Sequence, residues 1–127
     1  KVYKWAFPSD TVSSTTTSPL RMSGHAGFAD PAVAGYFTQG WYGAVYAAVF
    51  KWAFPTDTTS TTTSMPVGGY NNAGFADPAV AGYVTQGRLS NGSNNTTVYK
   101  WAFPSDTVST TTSAPLATRY NAGFADA

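Results

Sequence analysis

The 127-residue chain has no cysteine, no glutamate and a single histidine, and few of its residues are charged. Without cysteine it forms no disulfide, thiolate metal site or cysteine nucleophile, so the sequence favours neither a reducing nor an oxidising compartment. Seven Lys and Arg residues against six Asp residues give a net charge of +1, and the basic residues are scattered singly. Nucleic-acid binding requires clustered basic residues, so no nucleic acid is expected as a partner.

Long apolar runs are also missing. The longest, around residues 44–54, is interrupted by Lys51, whereas a membrane helix needs about 20 apolar residues. We therefore expect no membrane partner. The chain starts at Lys1 with no basic-then-apolar leader, which favours a processed chain or a part of a longer polypeptide. An aromatic content of 16% at low net charge argues against disorder.

An internal repeat dominates what is present. The segment Lys-Trp-Ala-Phe-Pro-Ser/Thr-Asp-Thr starts at Lys4, Lys51 and Lys100, so its copies are 47 and 49 residues apart. A second segment, Ala-Gly-Phe-Ala-Asp, starts at Ala26, Ala73 and Ala122, once after each copy of the first. Such periodicity is typical of repeat architectures. It divides the chain into a two-strand partial repeat at 1–23, full repeats at 24–71 and 72–120, and the start of a further repeat at 121–127.

The rings in the first segment predict a strand with one buried face. Large aromatic residues stand at every second position from Tyr3, Phe50 and Tyr99 onward, and a period of two places them on the same side of a β-strand. We predict that this face is core. Its predicted structural core residues are Trp5, Phe7, Trp52, Phe54, Trp101 and Phe103.

The rest of each repeat is predicted as further strands, with no helix. The Thr- and Ser-rich stretches at 11–18, 58–64 and 107–113 have little to bury and are interpreted as solvent-facing edge strands. Short strands are predicted around 27–29 and 74–76. A last strand, at 34–40 and again at 81–87, is predicted to end on its glycine. The fold class is therefore all-β, with four-stranded antiparallel units, and the small residues indicate backbones that approach closely.

The acidic residues occupy only two positions of the repeat, one after Phe-Pro and one after Gly-Phe-Ala. An Asp beside a proline is typical of a tight turn, in which the carboxylate accepts hydrogen bonds from nearby backbone amides. No Asp-x-Asp pattern or calcium loop is present, so neither a metal nor another cofactor is expected. The predicted turn-stabilising residues are Asp10, Asp30, Asp57, Asp77, Asp106 and Asp126.

Four strands in 47 to 49 residues match one propeller blade, which takes about 40 to 50. In residues 82–87, 98–103 and 119–124, the chain resembles the Kelch-like propeller repeats of many bacterial and bacteriophage proteins. Kelch repeats usually have two adjacent glycines after the second strand, where this chain has Gln39-Gly40 and Gln86-Gly87. A parallel β-solenoid and a trimeric fibre repeat remain alternatives.

The number of repeats is too small for a closed propeller, which needs about four to eight blades. Either a longer polypeptide or several copies of this chain must supply the missing blades, so a homo-oligomer or polymer is expected. The resemblance implies a structural part of a virion, such as a fibre or capsid decoration, or of a cell-surface or extracellular filament. The expected location is therefore extracellular or in a virion, with other structural proteins or glycans as further partners.

No pattern of catalytic residues is found. His25 corresponds to Asn72 and Asn121 in the other copies, so its position accepts any such polar side chain, and neither a nucleophile elbow nor a phosphate-binding glycine loop occurs. We predict that the protein is not an enzyme.

Residues 41–49 depart most strongly from the repeat, because they are aromatic and apolar where residues 88–96 are polar. We interpret this segment as a loop that lies against a neighbouring subunit or blade. The alternative is a carbohydrate-binding, lectin-like surface for adhesion, since exposed aromatic rings stack on sugars or anchor a protein. The candidate contact residues are Trp41, Tyr42 and Tyr46.

Overall fold

A computed structural model describes residues 1–6, 8–78 and 80–123 of the chain. Within these residues all regular structure is β-strand, and every pair of neighbouring strands is antiparallel. The all-β, antiparallel expectation is thereby confirmed. The strands are β1 Tyr3–Ala6, β2 Thr11–Ser14, β3 Ala26–Asp30, β4 Ala34–Trp41, β5 Val45–Ala53, β6 Thr58–Thr61, β7 Gly69–Tyr70, β8 Ala73–Asp77, β9 Ala81–Leu89, β10 Asn94–Ala102 and β11 Thr107–Thr110.

The strands form three sheets. Strands β1 and β2 make a two-stranded sheet, which we call the N-terminal hairpin. Strands β3 to β6 make a four-stranded sheet in sequence order, the first sheet. The second sheet contains β8 to β11, also neighbours in sequence order, with the short β7 added against β9. None of these described sheets is closed.

The two larger sheets share their pairing register. Phe28 of β3 is opposite Tyr36 of β4, and Phe75 of β8 is opposite Tyr83 of β9. Because directly opposite residues lie on the same face of a sheet, equivalent side chains of the two sequence repeats have equivalent neighbours. The faces of the first sheet can therefore be compared directly with the equivalent faces of the second sheet.

The predicted end of a strand at Gly40 is wrong, because β4 continues to Trp41 through a β-bulge. Gln39 and Gly40 have φ angles of 58° and 143°, and the pairing register with β5 shifts between Thr38 and Gly40. A bulge of this kind accommodates an additional residue without ending the ladder. The glycine therefore supplies a positive φ inside the strand.

The Thr- and Ser-rich stretches form shorter strands than predicted. The strands β2, β6 and β11 each cover four residues, and β6 and β11 lie at sheet edges as expected. After β6 the chain makes only spaced hydrogen bonds to β5, from the Thr62 amide to the Val49 carbonyl (3.0 Å) and from the Met65 amide to the Ala47 carbonyl (2.8 Å). The regular pairing between β5 and β6 therefore ends at Thr61.

The core lies between the first and second sheets. Phe28, Tyr36, Trp101 and Phe103 are all at most 7% exposed. Trp52 and Phe54, which have the same positions in the preceding repeat, are only partly buried. Tyr3 is 63% exposed, so the prediction of a buried ring there is wrong. Phe7 and the side chain of Trp5 lie outside the part of the chain that is described.

Strands β3 and β8 come into backbone contact at Gly27 and Gly74. A Cβ atom added to Gly74 would collide with the carbonyl oxygen of Gly27, whereas one added to Gly27 would lie 3.5 Å from the Tyr36 carbonyl oxygen, an ordinary contact. Because a backbone oxygen cannot rotate away, we expect Gly74→Ala to lower the free energy of unfolding by about 2 to 3 kcal/mol. Gly27→Ala is the matched control.

Urea denaturation followed by circular dichroism measures both glycine variants. Gly27→Ala is expected to change stability by less than about 0.5 kcal/mol, as substitutions without a clash do. Equal losses for the two variants would contradict the close approach of the strands.

Candidate interaction surfaces

The first sheet presents a row of three side chains to the second sheet. Phe28, Tyr36 and Lys51 are directly opposite one another on β3, β4 and β5. The rings of Phe28 and Tyr36 stack at 5.1 Å and 11°, and the Lys51 ammonium lies 5.5 Å from the Tyr36 ring centre. We call such a Phe-Tyr-Lys row a tyrosine face. It combines a flat apolar area with one cationic end.

The second sheet meets this row with a complementary surface. Trp101 of β10 is opposite Gly82 of β9, and the Phe28 ring fills the space that a side chain at Gly82 would need. The ring centres of Trp101 and Phe103 lie 5.7 and 5.8 Å from that of Tyr36. We call the set Gly82, Trp101, Phe103 and Asp106 a tryptophan face. The glycine makes a slot in which the partner ring is held.

Asp106 joins the two faces. Its carboxylate accepts hydrogen bonds from Tyr36 Oη at 2.9 Å, Lys51 Nζ at 2.8 Å and Trp101 Nε1 at 3.3 Å. The first two donors belong to the other sheet. The backbone of Asp106 has a φ of 50° in the turn after β10, a conformation that Asp tolerates better than most residues. The predicted turn position is therefore also a contact between sheets.

Sequence reasoning missed this role of Asp106 because its partners are 55 and 70 residues away. One signal was available: in each of the three copies of the first segment, a Lys precedes the Trp and an Asp stands two residues after the Phe-Pro. Opposite charges at fixed positions of every copy indicate ion pairs between one copy of the repeat and the next.

The pKa values of Tyr36 and Lys51 at this contact are both raised, for different main causes. Desolvation is the main cause for Tyr36, followed by its hydrogen bond to Asp106. The hydrogen bond to Asp106 is the main cause of the raised pKa of Lys51. In both cases the folded protein favours the protonated form of the group.

We therefore expect stability to fall at alkaline pH. A group whose pKa is raised on folding contributes stability that is complete below its unfolded value, 10.0 for Tyr36 and 10.5 for Lys51, and that is lost as the pH rises through the folded value. Urea midpoints measured from pH 7 to pH 11 are expected to be level and then to drop above about pH 10. Lys51→Met should reduce that drop, and an undiminished drop in this variant would contradict the assignment.

The contact between the N-terminal hairpin and the first sheet is a less complete version of the same arrangement. Lys4 Nζ lies 3.1 Å from Asp57, and both side chains are more exposed than Lys51 and Asp106. Trp52 Nε1 is buried, and no side chain or backbone group of the described residues is its hydrogen-bond partner. A cleft of about 270 Å³ opens here, lined by Tyr3, Lys4, Trp52, Phe54 and Asp57. The hairpin supplies the lysine of a tyrosine face without the stacked Phe-Tyr pair.

A second complete tyrosine face lies on the second sheet. Phe75, Tyr83 and Lys100 are opposite one another on β8, β9 and β10, and the two rings stack at 5.1 Å and 13°. All three side chains are partly exposed. Among the described residues no further ring stacks on this pair and Lys100 has no ion-pair partner. We call it the open tyrosine face.

Two of the other predicted turn residues, Asp30 and Asp77, have local contacts. The Ala32 amide donates to Asp30 Oδ1 at 3.2 Å, and the Val80 amide donates to the Asp77 carbonyl oxygen at 3.1 Å. Asp10 and Asp57 both have a φ of 52°, close to that of Asp106. Asp126 lies outside the described residues.

His25 is exposed and its ring lies 6.4 Å from that of Phe37. It borders a cleft of about 620 Å³ together with Lys1 and Arg21. In the part of the chain that the structure describes, no group of three metal-ligating side chains is found. The same residues include no helix that is long and apolar enough to span a membrane.

The structure corrects the interpretation of residues 41–49 as a loop. Trp41 ends β4 and Val45 begins β5, so only residues 42–44 form the connection. The side chains of Trp41 and Tyr42 are 47% and 52% exposed at the hairpin tip, whereas Tyr46 is partly buried in β5. The β-branched Val45 and Val49 suit a strand, which explains why the segment extends the sheet.

Comparison with family models and with curated proteins finds no match for the chain. No protein-family model matches the chain, and none of the curated proteins is significantly similar to it. The function is therefore argued from the surfaces themselves.

Proposed function

We propose that the chain is a non-catalytic structural module that assembles with further units through its sheet faces. One observation carries this proposal: the chain contains a tyrosine face packed on a tryptophan face, and a second tyrosine face of the same register and ring geometry on which no other ring of the described residues stacks. Open, partly apolar surfaces with a preformed shape are characteristic of interaction sites.

We further propose that each four-stranded unit is a propeller blade of the Kelch-like type. The two antiparallel sheets in sequence order and the close approach of β3 and β8 support this assignment. About four to eight blades would be needed to close a ring, and a rotation that does not close would give a filament. In either form the module would serve a virion fibre, a capsid decoration, a cell surface or an extracellular filament.

The mass of the purified protein tests the proposed assembly. Sedimentation velocity and native mass spectrometry over a range of concentrations are expected to show species larger than the 13.4 kDa chain. A single multiple of that mass would indicate a ring, and a ladder of masses a filament. A chain that stays monomeric at the highest soluble concentration would overturn the proposal.

Carbohydrate binding for host or surface adhesion is the second candidate, favoured by the exposed Trp41 and Tyr42 side by side at a hairpin tip. Aromatic rings in this position can stack on the apolar face of a sugar. Trp41→Ala is expected to abolish binding on a glycan array, while Tyr120→Ala, which removes a ring that is 73% exposed elsewhere, should leave it intact. Absence of binding by the unaltered chain would exclude this candidate.

A further inference from the structure

We propose that the open tyrosine face, Phe75, Tyr83 and Lys100, binds the N-terminal hairpin of a second copy of this chain. The inference rests on the proposed assembly and specifies its contact: Lys100 and Tyr83 of one copy would bind Asp10 of the next. It defines a head-to-tail interface whose two surfaces are different parts of the same chain.

The N-terminal hairpin is the occupant that the sequence supports best. Residues 2–13 are identical to residues 98–109, which include the buried Trp101 and Phe103 and the partly buried Asp106. The hairpins also pair in the same register, with Lys4 opposite Ser13 and Lys100 opposite Ser109. A segment that binds a tyrosine face inside the chain is thus present a second time, on a separate two-stranded sheet.

The receiving surface is preformed. The Phe75 and Tyr83 rings have the same separation as Phe28 and Tyr36, and their interplanar angles differ by only two degrees, 13° against 11°. Binding would therefore require little reordering of the rings, which lowers its entropic cost.

Charge also fits the proposed pair. Within the chain, Lys51 binds Asp106 at 2.8 Å. At the proposed interface, Lys100 of one chain has the repeat position of Lys51, and Asp10 of the next chain has that of Asp106. The backbone at Asp10 has the left-handed conformation that Asp106 adopts, with φ angles of 52° and 50°. A docked hairpin would thus bring a carboxylate to the lysine from the same turn geometry.

Charge exchange in the full chain tests this interface. Lys100→Asp places two carboxylates together and is expected to weaken self-association at least 30-fold, about the effect of breaking a desolvated ion pair. Asp10→Lys should have the same effect. The double variant restores opposite charges and is expected to recover association to within about tenfold. Arg21→Asp, an exposed charge change outside both faces, is the control and should associate normally.

Mixing gives a second readout. In a mixture of Lys100→Asp and Asp10→Lys chains, every contact between unlike chains brings opposite charges together, whereas every contact between like chains brings like charges together. Sedimentation should therefore show larger species for the mixture than for either variant alone. Circular dichroism verifies that each variant folds.

Tyr83→Phe keeps the ring but removes its hydroxyl. This variant should weaken association without altering the fold.

The outcomes separate the two proposals. Association of the unaltered chain that survives Lys100→Asp and Tyr83→Phe would overturn this interface and leave the assembly proposal standing. Failure of the double variant to recover would also overturn the pairing of Lys100 with Asp10. A monomeric unaltered chain would overturn both proposals.

Discussion

Trp101→Ala is expected to lower the free energy of unfolding by about 3 to 5 kcal/mol, the range for truncating a fully buried Trp. Trp101 has no exposed surface, and its ring packs 5.7 Å from Tyr36 and 6.1 Å from Phe28. Truncation would leave a cavity between the two sheets and remove the hydrogen bond from Nε1 to Asp106. A loss of this size is a large share of the 5 to 15 kcal/mol, roughly, that stabilises a typical domain.

Trp52→Ala is the matched control, because Trp52 has the same position in the preceding repeat but is only partly buried. Its loss should stay below about 2 kcal/mol, since part of its surface is already in water. Urea denaturation followed by circular dichroism compares the two variants. If both lost the same stability, Trp101 would not be at the centre of the core.

The burial of these rings shows how far local sequence determines the fold. Alternating rings predict a strand with one apolar side, and Tyr99, Trp101 and Phe103 are indeed buried on that pattern. The same letters around Tyr3 give a β-strand whose Tyr3 ring is 63% exposed. Residues 2–13 and 98–109 are identical, so the difference comes from the sheets around them. Alternating aromatic residues predict which side of a strand is apolar. The neighbouring sheet then determines whether that side is buried.

The bulge at Gln39 and Gly40 shows a second limit. A glycine after a run of strand residues is usually a sign of a turn, and the sequence therefore predicts that the strand ends at Gly40. Within β4 the positive φ angles of Gln39 and Gly40 instead fit a bulge, and Gln39 is only 2% exposed. Its side chain donates to the Val67 carbonyl oxygen at 2.7 Å and accepts from Asn72 Nδ2. These partners are distant in sequence, so no local pattern identifies them.

The candidate surfaces were only partly predictable, because some of them also combine residues that are distant in sequence. Exposed rings were expected at Trp41 and Tyr42 because they break the repeat. The tyrosine faces, by contrast, combine residues from three strands, such as Phe75, Tyr83 and Lys100. Their assembly depends on the register of the strands, which the letters alone leave open.

Asp106→Ala is expected to be the second strongly destabilising change, with a loss of about 3 to 4 kcal/mol. The carboxylate is the acceptor for three side chains, and its removal leaves the buried Trp101 Nε1 and Tyr36 Oη without that partner. Each such unsatisfied group costs about 1 to 3 kcal/mol, and the uncompensated Lys51 charge adds to the penalty. The left-handed backbone at φ 50° contributes further strain for Ala, about 1 kcal/mol.

Asp57→Ala separates the side-chain contribution from the backbone contribution. Asp57 has nearly the same φ, 52°, so its replacement has the same conformational cost. Its ion pair with Lys4 is more exposed, with side chains 48% and 34% accessible for Lys4 and Asp57, and such pairs contribute at most about 1 kcal/mol. Urea denaturation at pH 7 should therefore show Asp106→Ala to be less stable than Asp57→Ala by about 2 kcal/mol. Equal stabilities would mean that Asp106 acts through its turn alone, and the contact between the sheets would then depend on ring packing without the carboxylate.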